Sequence, residues 1–484
     1  WALRTAGHEV RVVSHPELTE VITAAGLTAM PVGADHPLYR IKRVETSRRL
    51  DIPLMDFADN DLARLGWAEV RDGYRHAVPW WWRVVNDPMI GDLTAFCVEW
   101  KPDLVLWEPI TYAGAVAATV SGAVHARVMW RVDVFARMRG PFLRLQGEQP
   151  PGEREDVLGR WLGARVGRYG GEFSEVLTTG YFTVDSVPDS LRLGSGLGFD
   201  LGLDYVPMRY VPYNGRSVVP GWLREPVGRP RVALTLGTTA IDRFDGYGVS
   251  VGDVLEALSD VDVEVVATLP LQEQERLGRV PDNARLVTFV PLNALAATCS
   301  VVINHGGPGT LFTTLMNSVP QLVVPNMFDE PLLAGWVAGQ GAGLAVSRVE
   351  VTPDRVRSDV CRLLGEESFV VGARGLREQM MALPSPNTSG SWSIALLTLA
   401  SADAKPVPSA VALAAMTMVA LLTTTAIAVP SAKTSGLRPT SCTGQNVPWR
   451  VPGTAGPRTA VSRPPQPQRV RHHAERAERH RGAG

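Results

Sequence analysis

Short apolar, β-branched runs alternate with stretches of helical periodicity along most of this chain. Residues 10–13, 28–32 and 103–107 read as strands, and residues 18–25, 89–100 and 112–120 as helices. Residues 1–5 read as the end of a helix closed by Gly7, and Gly26 closes the helix at 18–25. A second series follows, with strands at 231–236, 263–268, 286–289, 301–304 and 321–324 and helices at 249–258, 311–317 and 353–364. This alternation predicts the α/β class, as two doubly wound sheets that bind ligands outside the carboxyl ends of their strands. Residues 35–88 show no such period and read as irregular, with Trp80, Trp81 and Trp82 in a row as either a pocket lining or a packing seam.

A Pro- and Gly-rich stretch divides the two series. It gives an N-terminal domain at 1–212, a linker at 213–230 and a C-terminal domain at 231–386. Residues 387–484 differ: they hold 11 Lys/Arg against 3 Asp/Glu, with runs such as Arg463-Pro464-Pro465, and this low-complexity basic tail is expected to be disordered. Within it, residues 410–429 are uncharged and long enough for a bilayer, but rich in Ala and Thr rather than Leu, Ile or Phe, so no membrane partner is expected.

The whole chain of 484 residues is 45% apolar with a formal net charge of −1, which argues for globular domains and against a nucleic-acid partner. Cys97, Cys299, Cys361 and Cys442 form no CxxC pair, so neither a disulfide framework nor a zinc site is expected, and a cytoplasmic location fits. The chain opens at Trp1 with no basic-then-apolar leader, which reads as the absence of a secretory signal and of the native N-terminus.

The strongest local signal is Asn304-His305-Gly306-Gly307-Pro308-Gly309-Thr310, where a buried strand gives way to glycines and then to a helix. Glycines let the backbone approach an anion, proline at a helix start wastes no donor, and the helix end carries partial positive charge. With the Thr310 hydroxyl and the His305 imidazole, this reads as a diphosphate cradle without a lysine; the alternative is a tight strand–helix turn with no ligand. Asp329 and Glu330 follow the next strand, on the same rim, where carboxylates accept hydrogen bonds from sugar hydroxyls or, for Asp329, cap a helix. The run Gly194-Ser195-Gly196-Leu197-Gly198 follows no strand and opens no helix, so it is not read as a dinucleotide fingerprint.

These motifs, with Pro102-Asp103-Leu104-Val105-Leu106-Trp107-Glu108-Pro109 and Met208-Arg209-Tyr210-Val211-Pro212-Tyr213-Asn214-Gly215, resemble the actinobacterial antibiotic glycosyltransferases of glycosyltransferase family 1 over residues 1–386. The resemblance implies the GT-B fold, two Rossmann-like domains facing a cleft. It also implies an inverting, metal-independent transfer of a deoxyhexose from a dTDP-sugar to a hydroxyl of a polyketide aglycone of macrolide or anthracycline type. No cofactor is implied beyond the dTDP-sugar co-substrate. The similarity is to the subgroup that works with a haem-less monooxygenase-like activator protein.

Carried onto this chain, the resemblance implies that His305 and the amides of Gly309 and Thr310, within the loop of Gly306 and Gly307, contact the donor diphosphate. Thr238 faces it from the turn after the first strand of the second half. The Val290 backbone pairs with the nucleobase, and Asp329, with Glu330 as the weaker candidate, holds donor hydroxyls. No metal ligand is implied.

The family's histidine base lies on the loop after a first strand that this chain does not contain, so a gap is expected in the N-terminal sheet. His8 reads as a solvated turn residue and no substitute for that base. Glu108 ends the strand at 103–107 and reads either as the orienting partner of such a base or as a cap of the following helix. The family-like sequence stops near Pro386, so the C-terminal crossing back onto the first domain is expected to be absent. Two other functions compete with glycosyl transfer: another GT-B activity such as nucleotide-sugar epimerisation, and non-catalytic dTDP-sugar binding by a truncated chain.

Overall fold

The structure, a computed structural model, describes residues 1–38, 41, 56–57, 64–191, 203–237, 249–326 and 328–387, and the backbone of 425–429. All of these belong to one compact unit, Trp1–Lys433.

Among the described residues thirteen strands form two sheets. The first contains β1 (Arg11–Ser14), β2 (Thr28–Pro31), β3 (Leu104–Trp107), β4 (Val124–Val128), β5 (Thr183–Asp185) and β6 (Tyr205–Pro207). The second contains β7 (Arg231–Thr235), β8 (Glu264–Thr268), β9 (Ala284–Val287), β10 (Val301–Asn304), β11 (Gln321–Val323) and β12 (Gly343–Ala345). The remaining strand, β13 (Thr425–Val429), joins the first sheet. The orders are β2-β1-β13-β3-β4-β5-β6 and β12-β11-β10-β7-β8-β9. All pairings are parallel except those of β13 with β1 and β3.

The predicted strands reappear within one or two residues, the central ones with side chains buried on both faces. Leu104, Val105, Leu106 and Trp107 are all fully buried, as central parallel strands require. Ordinary helix stops also hold: Gly7 (φ 92°) and Gly26 (φ 75°) take the left-handed conformation after their helices.

Four expectations are corrected. Residues 67–88 are helical, not irregular: Trp67–Ala77 is an α-helix, Val78–Trp82 a π-helical turn, and Arg83–Trp100 an α-helix. Pro79 and Pro88 masked the period; the wider π turn accommodates the first, and the second lies inside a helix held by packing. The three tryptophans divide accordingly: Trp82 is buried, Trp81 half-buried and Trp80 exposed.

The gap expected in the N-terminal sheet is filled. β13 pairs Ile427 with Val12 of β1 and with Leu106 of β3, antiparallel to both. Its Thr-Ala-Ile-Ala-Val sequence suits a central strand, and unpaired ladder groups on β1 and β3 would be costly to bury. These five residues come from the end of the uncharged stretch at 410–429; its other residues, and the rest of the tail from 388, lie outside the described residues. Among the described residues no helix is long and apolar enough to cross a membrane.

The C-terminal crossing is present. After helix Glu367–Ala382 the chain returns to the first half, where the Arg209 amide donates to Pro384 O (2.8 Å) and Arg209 Nε to Leu383 O (3.1 Å). The Ser190 hydroxyl donates to Gln379 Oε1 (2.6 Å). One apolar cluster accordingly runs through both halves, from Val105 and Trp107 to Phe312, Leu333 and Leu376. His8 is half-buried rather than solvated, and burial lowers its pKa.

Candidate donor site

β10, β7 and β11 lie side by side in the second sheet, so their carboxyl ends open onto one place. His305 follows β10, Gly237 follows β7, and Phe328, Asp329 and Glu330 come after β11. Asn304, the polar end of an otherwise apolar strand, fixes the first of these loops. Its Nδ2 donates to Gln321 Oε1 (2.8 Å) and its Oδ1 accepts from the Gly306 amide (2.8 Å). The Gly306 amide is thereby engaged, and its contribution is conformational: φ is 85°, a region open to glycine.

The His305 imidazole occupies the space that two glycines leave. A Cβ on Gly237 would lie 2.7 Å from its Cε1, and a Cβ on Gly307 would lie closer still to Nε2. The side chain is 19% exposed. Burial pushes its pKa down to about 4, against a hydrogen bond to the Thr235 backbone, so the ring is neutral at pH 7 and carries one N–H. Nε2 lies 3.9 Å from Glu330 Oε1.

Helix Pro308–Met316 starts beside this ring. The Thr310 amide donates to Gly307 O (3.0 Å), which leaves the Thr310 hydroxyl as the group that residue presents. Among the described residues the Gly309 amide has no backbone acceptor. From the first half, the Tyr210 hydroxyl bonds Gly309 O (3.1 Å) and Thr313 Oγ1 (3.0 Å). Together these supply a helix-end amide, a hydroxyl and a neutral imidazole N–H, an arrangement suited to a diphosphate.

Of the carboxylates, Glu330 Oε2 accepts the Asn326 amide (2.8 Å), so Glu330 braces its own turn and faces His305. Asp329 stands at the N-cap position of helix Glu330–Gly339 but makes no cap hydrogen bond, and it is wholly buried. Arg131, from the loop after β4, reaches it across the cleft, with Nη1 3.3 Å from Oδ1. Burial raises the Asp329 pKa, and Arg131 acts against that rise.

Val290 is buried against Leu223, Val266 and Leu295. Thr238 lies outside the described residues. Glu108 is buried at the end of β3: Oε2 accepts from the Ile110 amide (3.0 Å) and the Thr111 hydroxyl (3.2 Å), and Oε1 from the Trp130 indole (3.3 Å). Desolvation raises its pKa. The geometry thus brings His305, Gly306, Gly307, Gly309, Thr310, Asp329 and Glu330 together, while Glu108 sits in the other half on its own hydrogen bonds. Sequence reading missed Arg131 and Phe328, the second of which packs from the 325–330 turn into the aromatic side chains of the first half.

Comparison with known proteins follows the same outline. A family model described as "Erythromycin biosynthesis protein CIII-like, N-terminal domain" matches residues 1–237, and its C-terminal counterpart matches residues 252–396. The 10-deoxymethynolide desosaminyltransferase of Streptomyces venezuelae is 47% identical over 388 residues, covering 80% of this chain and 90% of the relative. The aclacinomycin-T 2-deoxy-L-fucose transferase of Streptomyces galilaeus is 43% identical over 409 residues, with 80% and 89% coverage. Among solved structures, the glycosyltransferase VinC in complex with dTDP superposes with a TM-score of 0.72 at 36% identity, covering 83% of this chain and 94% of that one. The spinosyn forosaminyltransferase SpnP gives 0.67, also at 36% identity, with 83% and 94% coverage. The fold is GT-B.

Proposed function

Because this chain belongs to the erythromycin biosynthesis protein CIII-like family of deoxysugar glycosyltransferases, we propose that it transfers a deoxyhexose from a dTDP-sugar to a hydroxyl of a polyketide aglycone, with inversion and without a metal ion. The observation that carries this reading is the convergence of His305, the Gly309 amide and the Thr310 hydroxyl at one helix start, with Asp329 on the adjoining turn. The dTDP bound to VinC supports the choice of nucleotide.

In the reaction the acceptor oxygen attacks the anomeric carbon from the face opposite the diphosphate. The glycosidic bond forms as the carbon–oxygen bond to phosphate breaks, and negative charge grows on the leaving oxygens. Donors fixed before the reaction stabilise that charge more than they stabilise the bound donor, which lowers the barrier. Hydrogen bonds to a charged group are worth roughly 1.5–3 kcal/mol each, so the three groups could together supply several kcal/mol. A neutral His305 suits this work, since it donates without the cost of burying a cation.

Asp329, and more weakly Glu330, accept hydrogen bonds from donor hydroxyls, and the Val290 backbone meets the nucleobase. Glu108, at the end of β3, is placed to orient the histidine base that the family resemblance implies for the acceptor proton, a residue this sequence does not contain. The resemblance to the activator-dependent subgroup adds a haem-less monooxygenase-like protein as a partner. The test is an assay of dTDP-deoxysugar with macrolactone and anthracyclinone acceptors, with and without that activator and a chelator. A β-linked product from an α-linked donor, formed in the presence of chelator, fits the proposal. Donor isomerisation without transfer, or activity lost with the metal, counts against it.

A further inference from the structure

The loop that carries Arg131 is pinned from three sides. The Trp130 indole donates to Glu108 Oε1, Arg127 Nη1 donates to Asp133 Oδ1 (3.0 Å), and the Tyr205 hydroxyl donates to Asp133 Oδ2 (2.8 Å). Asp133 also caps the following helix by accepting from the Ala136 amide. From this support Arg131 extends to the second half. Its guanidinium lies 3.8 Å from the Trp130 ring and 4.8 Å from the Phe328 ring, and Nη1 lies 3.3 Å from Asp329 Oδ1.

The two residues it meets, Phe328 and Asp329, are adjacent in the chain. Phe328 has φ 62°, a left-handed conformation that is costly for a bulky side chain. That turn sends its ring into the first half, with centroids 6.4 Å from Phe57, 5.7 Å from Trp81 and 5.7 Å from Phe135. Asp329 occupies a cap position, yet its side chain makes no cap hydrogen bond; its backbone carbonyl accepts the Leu333 amide (3.0 Å), and its carboxylate faces Arg131.

We propose that Arg131 is a positioning residue for the donor sugar, contributed by the opposite half of the molecule: it orients the Asp329 carboxylate across the cleft as an acceptor of sugar hydroxyls, with Phe328 as the wedge that aligns the two. This rests on the reading of Asp329 as a donor-sugar ligand. Buried without a counter-charge, Asp329 would take up a proton and lose acceptor capacity. Arg131 is the charged group that opposes this, and the Val132 and Asp329 backbones act in the same direction. Donor recognition is then complete only when both halves are in register.

Calorimetry of the whole chain with dTDP and with dTDP-D-glucose tests this, since the ratio of the two affinities isolates the sugar's contribution. Asp329→Asn is expected to remove that contribution and to leave dTDP affinity within twofold. Arg131→Gln is expected to reduce it at least fivefold at pH 7, again with dTDP within twofold, and to regain part of it as the pH is raised and the unassisted carboxyl ionises. Arg131→Lys is expected to retain most of it with the pH profile of the unmodified chain. Full retention in Arg131→Gln alongside loss in Asp329→Asn overturns the role of Arg131 alone. An equal fall in dTDP and dTDP-D-glucose affinity marks a merely structural arginine and also overturns it. Retention in both variants, or no sugar contribution in the unmodified chain, overturns the reading of Asp329 as well.

Discussion

The His305 imidazole fills the space in which a side chain on Gly237 would have to stand, with the Gly237 Cβ position 2.7 Å from His305 Cε1. Gly237 also has φ 71°, so two independent reasons exclude a larger residue. Gly237→Ala is expected to cost about 1–2 kcal/mol in backbone strain and to displace the ring. Urea unfolding measures the first effect. Calorimetry with dTDP measures the second, as an affinity loss of at least fivefold. Unchanged affinity would show that the ring's seat is irrelevant to the nucleotide.

His305→Ala is expected to lower turnover at least tenfold with saturating donor, because the barrier loses one charge-directed donor worth roughly 1.5–3 kcal/mol. His305→Gln retains an N–H and is expected to recover part of the loss. Steady-state rates for the three proteins decide this, and equal rates would remove His305 from the mechanism.

Buried histidines also set part of the pH dependence of stability. His125 accepts from the Trp107 indole (3.2 Å), and burial pushes its pKa down to about 3. In the unfolded chain such a group takes up a proton near pH 6.5. Its contribution is therefore full above that value and is lost as the pH falls toward 3, because the unfolded state then binds the extra proton. His125→Gln is expected to flatten the dependence between pH 6 and 4.5 by up to about 1.4 kcal/mol per pH unit. Urea midpoints across that range check it; parallel curves for both proteins would contradict it.

The signals that reached the surface of the sequence were those of local chemistry. Asn304-His305-Gly306-Gly307-Pro308-Gly309 announced the strand, the left-handed turn and the helix start, and the structure follows that order. β4 was missed because Val-His-Ala-Arg-Val is not the continuous apolar run of a buried parallel strand, although His125 and Arg127 are both buried. Their burial depends on Trp107, Asp133 and Thr183, partners that local periodicity does not contain. Arg131 was invisible for the same reason: its meaning lies in Asp329, almost two hundred positions away. The filling of the first sheet by β13 was equally beyond pattern reading, since an Ala- and Thr-rich run shows its use only beside β1 and β3.

That central strand has its own test. Ile427→Pro removes one ladder donor between β1 and β3 and is expected to cost about 1–3 kcal/mol. Hydrogen exchange is expected to protect residues 426–428 in the unmodified chain and to show lower protection in Val12 and Leu106 in the variant. Rapid exchange at 426–428 in the unmodified chain would contradict the pairing.

The central claim is that a nucleotide diphosphate is received at the start of helix Pro308–Met316, beside a neutral His305. A crystal structure of the chain soaked with dTDP in the presence of chelator tests it most directly. The account predicts phosphate oxygens within hydrogen-bond distance of the Gly309 amide, the Thr310 hydroxyl and the His305 ring. A diphosphate bound elsewhere, or held at this helix start only when a divalent ion is supplied, would contradict it.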